Sequence, residues 1–227
     1  MPTTGQEQTT IPETLNKIGV AYNKRLTFIG KTGSGKSHLT WYLLRLFLSK
    51  VTELQIIFID PKHEHKRFGE GVKLDEPKLV KKYEPDVRVQ VIQSWYWTPE
   101  LDDMVNQVLE RGKCIVVFDE LGGLATARVV PDAVTRLYTQ GRGKGVGAWS
   151  MMQSVKKYPT VIKQQTELFF VFKLTDAKDR QDLEAFIPDE RVVGTRIPKW
   201  FFWVYRDDWD EAVYFSPIKV PERYKPK

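Results

Sequence analysis

The sequence predicts a three-layer α/β fold: a mostly parallel central sheet covered by helices on both faces, with an antiparallel hairpin appended near its C-terminal end. Three observations predict it. Apolar runs of strand length alternate along the chain with segments of helical period, the pattern of strand–helix–strand units. A glycine-rich octapeptide, Gly30-Lys31-Thr32-Gly33-Ser34-Gly35-Lys36-Ser37, stands between a strand and a helix. A second apolar run, residues 114–118, ends in the acids Asp119 and Glu120.

Taken in order, residues 1–24 read as a loose N-terminal arm, rich in threonine and polar groups, and residues 25–227 as one domain. Strands are expected at 26–29, 54–60, 87–92, 114–119, 147–152 and 168–174. The firmest helix follows Gly35, where Leu39, Leu43 and Leu46 recur at helical spacing, joined by Tyr42 and Phe47. Further helices are expected at 99–110, 131–140 and 176–186. Residues 200–205 and 212–215 flank a polar turn rich in aspartate and so predict the hairpin, and residues 220–227 read as a basic tail.

Composition narrows the class. Hydrophobic residues make up 41% and charged residues 28% of the 227-residue chain, which excludes a collagen-like, low-complexity or wholly disordered protein. No apolar run approaches the roughly 20 residues of a bilayer span, and the best candidate, residues 41–48, carries Arg45. The first 13 residues lack the basic start and apolar stretch of a signal peptide, so the protein is expected to stay in the compartment where it is made. Cys114 stands alone, which rules out an internal disulfide or a cysteine-based zinc site and fits a reducing cytoplasm. The net charge of +6 is localised: residues 133–166 carry Arg136, Arg142, Lys144, Lys156, Lys157 and Lys163 and no carboxylate. A patch of that kind suits a polyanionic partner.

The octapeptide matches GxxxxGK[S/T] in full and has the strand-then-helix context the motif requires. Its glycines let successive backbone N–H groups turn inward around phosphate oxygens, and the following helix aims its positive end at the same anion. Residues 30–37, with His38 next in line, are therefore the candidate nucleotide cradle. Lys36 is expected to reach the β and γ phosphates of ATP, and the Ser37 hydroxyl to ligate Mg²⁺, which takes oxygen donors. The two acids ending the run at 114–118 have separate work. Asp119 is expected to hold the metal through its water shell, and Glu120 to accept a proton from, or orient, the water that attacks the γ phosphate. Two predicted strands lie between loop and acids, an interval that, with a glutamate directly after the aspartate, resembles the three-layer P-loop NTPase fold of the additional-strand, catalytic-glutamate type and argues against kinases and GTPases.

After the helix expected at 131–140 come Gln140-Gly141-Arg142-Gly143-Lys144-Gly145-Val146-Gly147, an apolar strand, Gln153, and then Pro159. A basic glycine-rich turn, an apolar strand and a glutamine followed by proline resemble the FtsK/HerA superfamily of DNA-pumping ATPases. The short single-domain length looks like the genome-packaging ATPases of icosahedral viruses with an internal membrane. The resemblance covers residues 26 to about 187, strongest at the two phosphate-site motifs. It implies that Gln153 senses the γ phosphate and that Arg142 reaches the ATP of a neighbouring subunit. Here Ser154, Val155, Lys156 and Lys157 stand where the family pattern follows its glutamine more closely with Arg and Pro. Arg142 can equally serve as a cation at a helix C-terminus, with Arg136 as a second candidate finger.

The resemblance further implies a homo-oligomeric ring, a hexamer or pentamer, pumping double-stranded DNA from the host cytoplasm during assembly, or at the packaging vertex of the virion, with a capsid-vertex or inner-membrane protein as its dock. DNA contacts would then be directed to the backbone, with Lys156, Lys157 and Lys163 as first candidates and Arg128 as the second. Trp95-Tyr96-Trp97 are read as packing against the sheet or a neighbour, and His63-Glu64-His65 as a charged surface loop rather than a metal site. Asp60-Pro61-Lys62 at a strand end resembles a family feature without an assigned role. Alternatives are a conjugation or secretion ATPase, a filamentous-phage assembly ATPase, a phosphotransferase, for which Glu120 would be unnecessary, and a GTP-operated switch, which would need an NKxD element absent after the loop.

Overall fold

Alternation of side chains along the strands decides the layers. The structure, a computed structural model, describes residues 17–63, 78–126, 129–156, 158–194 and 196–218. Its elements are β1 (Arg25–Ile29), α1 (Lys36–Lys50), β2 (Gln55–Ile59), β3 (Lys78–Val80), β4 (Val89–Ile92), α2 (Pro99–Arg111), β5 (Cys114–Asp119), α3 (Leu121–Leu124), α4 (Asp132–Gln140), a 3₁₀ turn (Gly141–Lys144), β6 (Val146–Met152), α5 (Thr160–Gln165), β7 (Leu168–Val171), α6 (Ala177–Glu184), α7 (Glu190–Gly194), β8 (Phe202–Arg206) and β9 (Val213–Phe215). Ile56 and Phe58 of β2, with Ile115 and Val117 of β5, pack toward α1. Ile57, Ile59, Val116 and Phe118 point the other way, into the layer built by α2, α4, α5 and α6. Strands β2 and β5 are therefore buried on both faces, as the continuous apolar runs required.

The sheet has nine strands in the order β3-β4-β2-β5-β6-β1-β7-β8-β9. Strands β1 to β7 pair in parallel, and β8 and β9 close the sheet antiparallel to β7 and to each other. Strand β6 thus lies between β1, which feeds the glycine-rich loop, and β5, which ends in the acids. Register sets their ends level, with Ile29 opposite Met152 and Asp119 opposite Met151.

Several boundaries differ from the sequence expectation. Residues 172–174 leave β7 because the ladder passes to the loop: the Phe172 N–H donates to Ile29 O, and the Lys31 N–H to Lys173 O. Three-residue β3 was not expected. It is an edge strand with Leu79 half exposed, short enough to blunt the edge and to leave no periodicity. Helix α1 buries more than its leucine stripe, since Trp41, Tyr42, Leu44 and Arg45 are also covered, and Trp41 stacks on Phe58 at 5.0 Å. Ile18 and Val20, read from sequence as part of the arm, are buried in the same cluster. No helix among the described residues is long and apolar enough to cross a membrane.

Candidate active site

The loop between β1 and α1 can fold only with glycine at two of its turns. Gly30 adopts φ 154° and Gly35 φ 117°. A Cβ on Gly30 would lie 2.7 Å from the Phe172 Cβ, and one on Gly35 2.9 Å from the Trp200 ring. Inside the loop the Ser34 hydroxyl is buried without a hydrogen-bond partner, which is what a cradle shaped for an added oxyanion requires. The first turn of α1, starting at Lys36, aims N–H groups at the same place, because helix geometry gives them no intrahelical carbonyl. Lys36 is itself buried and curls back over the loop, donating to Gly30 O and, at 3.2 Å, to Lys31 O. Burial, and then repulsion from Lys62, pull its ammonium down to about 8, against the opposing pull of Glu120 and Asp119. Each of these costs would be relieved by an anion in the loop.

Across β6, the two acids stand at the end of β5. Asp119 is buried and closes the strand. Glu120 leaves it in a left-handed conformation, φ 74° and ψ 67°, which costs a residue with a Cβ about 1 kcal/mol or more. That turn breaks the strand alternation, so one cation can face both carboxylates. The cation is Lys62, with Nζ 3.1 Å from Glu120 Oε2 and 4.0 Å from Asp119 Oδ1. Its own backbone is fixed by the N–H donating to Oδ1 of buried Asp60 at 3.2 Å. The sequence reading gave Asp60-Pro61-Lys62 no role; its signal was an acid–proline–lysine run ending a fully apolar strand that the sheet order places beside β5.

Gln153 follows β6 directly, and its Oε1 accepts from the Thr32 hydroxyl at 2.8 Å. The C-terminal ends of neighbouring strands therefore present, in order, Lys62, Asp119 with Glu120, Gln153 and the glycine-rich loop. Ligands of open α/β sheets bind at such an edge. The donor set suits Mg²⁺, a hard cation that takes one or two protein oxygens and completes its shell with phosphate and water. Ser37 would offer such an oxygen directly and Asp119 would act through the ion's water shell; no cluster of three or more His, Cys, Asp or Glu stands among the described residues.

Arg142 lies elsewhere. Its 3₁₀ turn precedes β6, so it sits at the N-terminal edge of the parallel strands, and its guanidinium pairs at 2.9 Å with Oε1 of buried Glu167. The other oxygen of Glu167 accepts from Arg25 Nε at 3.0 Å. The structure does not bring Arg142 to the phosphate loop of its own chain. Among the candidate DNA contacts, Lys156 pairs with Asp176 at 2.8 Å, and the Lys163 ammonium lies over the Phe186 ring, 5.2 Å from its centre. Arg128 and Lys157 lie outside the described residues, as do Glu64 and His65. His63 stacks on Trp95 at 5.6 Å. Of the three aromatics at 95–97, only Trp97 is drawn in, donating to Asp102 at 2.9 Å and packing near Phe118. Trp95 and Tyr96 are exposed, so within the chain only Trp97 meets the expected packing against the sheet or a neighbour.

Beside the loop is a pocket of about 220 Å³. Gly35, His38, Leu39 and Tyr42 form one wall, spaced as one face of α1, and Phe172 and Trp200 face them. The Trp200 N–H donates to Ser34 O at 3.2 Å, so the pocket and the loop share a wall.

Comparison with known proteins bears on the family and the fold. The family described as "Helicase HerA, central domain" matches residues 16–131. Among solved structures, the genome packaging NTPase B204 from Sulfolobus turreted icosahedral virus 2 in complex with AMPPCP is similar with a TM-score of 0.71 at 14% identity, over 88% of this chain and 100% of that one. VirB4 of Thermoanaerobacter pseudethanolicus gives 0.64 at 10% identity, over 88% and 91%. The monomer form of the pCW3 conjugation coupling protein TcpA, with ATPgS, gives 0.58 at 16%, over 86% of this chain and 61% of that one. None of the curated proteins compared matches the chain.

Proposed function

The chain belongs to the family of the helicase HerA central domain, as an FtsK/HerA-like P-loop ATPase, and we propose that it hydrolyses MgATP to drive double-stranded DNA through a homo-oligomeric ring during packaging of a viral genome. One observation carries the catalytic part: the loop of Lys36, the Asp119–Glu120 pair and Gln153 meet at one strand edge with β6 inserted between β1 and β5. The packaging assignment draws on the likeness to the B204 packaging NTPase, at a TM-score of 0.71 over 100% of that chain, against 0.64 over 91% for VirB4 and 0.58 over 61% for TcpA. The likeness to VirB4 and TcpA favours, as a second reading, an ATPase of conjugation.

In the proposed reaction the loop N–H groups and Lys36 hold the phosphates; Ser37, and Asp119 through the water shell, would hold Mg²⁺, which when bound would neutralise phosphate charge. A water oxygen bonds to the γ phosphorus as the bond to the β–γ bridging oxygen breaks. Glu120 takes the proton that water loses, and ADP leaves with the electron pair. Lys62 fixes the direction of the Glu120 carboxylate, and Gln153, which accepts from the Thr32 hydroxyl, turns to the γ phosphate. Arg142 faces away from its own loop and so serves the ATP of the next subunit. Lys156, Lys157, Lys163 and Arg128 contact the DNA backbone. The ring works in the host cytoplasm or at the packaging vertex of the virion, docked on a capsid-vertex or inner-membrane protein.

The test is the ATPase rate with and without double-stranded DNA across a salt series. Stimulation should fade as log DNA affinity drops with log salt, at a slope near 0.9 per phosphate neutralised. Glu120→Gln should bind ATP and not turn it over. A rate indifferent to DNA at every salt concentration would defeat the translocase reading, and full turnover by Glu120→Gln would defeat the assigned base.

A further inference from the structure

We propose that the pocket beside the loop is a stacking subsite for a nucleobase, one that accepts purines without distinguishing adenine from guanine. This deepens the reading above and rests on it. The pocket begins where the phosphate cradle ends: Gly35 belongs to both, and Trp200 is tied to the loop by its N–H bond to Ser34 O. Any nucleoside attached to phosphates in the loop must leave on some side, and this side offers a half-open hollow. Its walls are aromatic and apolar. Trp200 is 40% exposed, its indole crosses the His38 ring edge-on at 5.5 Å, and Phe172 lines the pocket with it, as do Pro217 and Ile218. The indole ring is partly open and held by its own backbone, and the Lys199 ammonium lies over it, 5.2 Å from its centre, a cation that a stacked base would meet on one face or displace.

The same lining argues against base reading. Discrimination of 10⁴ or more between similar ligands needs buried hydrogen-bonding groups that a wrong ligand leaves unpaired, whereas a hydrophobic pocket separates near-isosteres by only about 10–200-fold. Here His38 and Tyr42 are the polar side chains of the wall, and the rest is glycine, leucine, isoleucine, proline and aromatic rings. Stacking tolerates any base because every base has a π face.

The experiment measures Mg²⁺-dependent affinity for AMPPNP, GMPPNP and inorganic tripolyphosphate in the wild type and in Trp200→Ala, Trp200→Phe and His38→Ala. The two nucleotides should bind within about tenfold of each other and more tightly than tripolyphosphate. Trp200→Ala should weaken both nucleotides roughly five- to a hundredfold and leave tripolyphosphate unchanged, while Trp200→Phe, which keeps a stacking ring, should bind nearly as wild type. His38→Ala should shift nucleotides alone in the same direction and guards against a folding failure at Trp200, which thermal unfolding would reveal. Unchanged nucleotide affinity in folded Trp200→Ala and His38→Ala would put the base elsewhere and overturn the proposal. So would tripolyphosphate binding as tightly as AMPPNP, with the phosphate site left standing. A preference for AMPPNP over GMPPNP above about a hundredfold would overturn the tolerance. A wild type that binds none of the three would bring down the ATPase reading and this subsite together.

Discussion

At the scale of single residues, the phosphate site was legible wherever backbone physics dictates composition. A loop that turns N–H groups inward needs glycine at Gly30 and Gly35, so the motif is written in consecutive letters. Lys62 was illegible because its meaning lies in a contact 58 positions away, fixed only once β2 is placed beside β5. Gln153 was named by resemblance, but its partner Thr32 stands 121 positions off. The role proposed for Lys62 leads to a prediction. Lys62→Ala leaves Glu120 in its left-handed turn without the ammonium that directs it, so kcat should fall roughly 10- to 100-fold, part of the 10²–10⁴ that a positioned base supplies. KM should change less than about threefold, because ground-state binding is left to the loop. Lys62→Arg should recover most of the loss. Steady-state kinetics decide it: an unchanged kcat would show that Lys62 is a bystander, and a rise in KM alone that it holds phosphate rather than the glutamate.

Among the elements, buried strands were read well and edges poorly. A strand buried on both faces is a continuous apolar run, as in β2 and β5. The short helices α5 and α7, six and five residues long, carry too little periodicity to detect. The attachment of the hairpin was also invisible. Strands β8 and β9 are tied to the body by Asp189, just before α7, whose carboxylate accepts from Arg191 N, Nε and NH2 and from Ala212 N. The bonds from Arg191 chiefly hold this carboxyl down at about 2, against the cost of burial. Because the folded value lies below the unfolded one, the stabilisation is complete above about pH 4 and is lost as pH falls through 2. Allowing for solvent around the half-exposed Arg191, the contribution is about 1–2 kcal/mol. Asp189→Asn should therefore lower stability by that amount at neutral pH and flatten the acid limb of the wild-type curve between about pH 4 and 2. Urea unfolding at pH 7 and at pH 3 measures both. Equal loss in the variant and the wild type on acidification would remove Asp189 as the lock.

For the whole molecule, the sheet separates two chemistries. The C-terminal edge holds Lys36, Asp119, Glu120 and Gln153, and the N-terminal edge holds Arg142 on the Glu167–Arg25 pair. A guanidinium there cannot serve its own loop without crossing the thickness of the sheet, but a head-to-tail contact between identical subunits would set it against the next one's loop. Such heterologous contacts generate rings when the rotation closes. Sequence reading could name Arg142 but not its direction, since direction is a property of strand order. Complementation between two inactive variants tests the consequence. Lys36→Ala loses its own phosphate site and keeps the arginine, while Arg142→Ala keeps the site and loses the arginine. If the arginine acts across subunits, mixing the two at equal concentration and allowing exchange restores complete sites wherever an Arg142→Ala loop meets a Lys36→Ala neighbour, about a quarter of all junctions under random assembly around a closed ring. ATPase activity should then rise in the mixture from two nearly silent preparations. An arginine that served its own chain, or one held at Glu167 only for stability, would leave the mixture as silent as its components, because no single chain in it carries both Lys36 and Arg142.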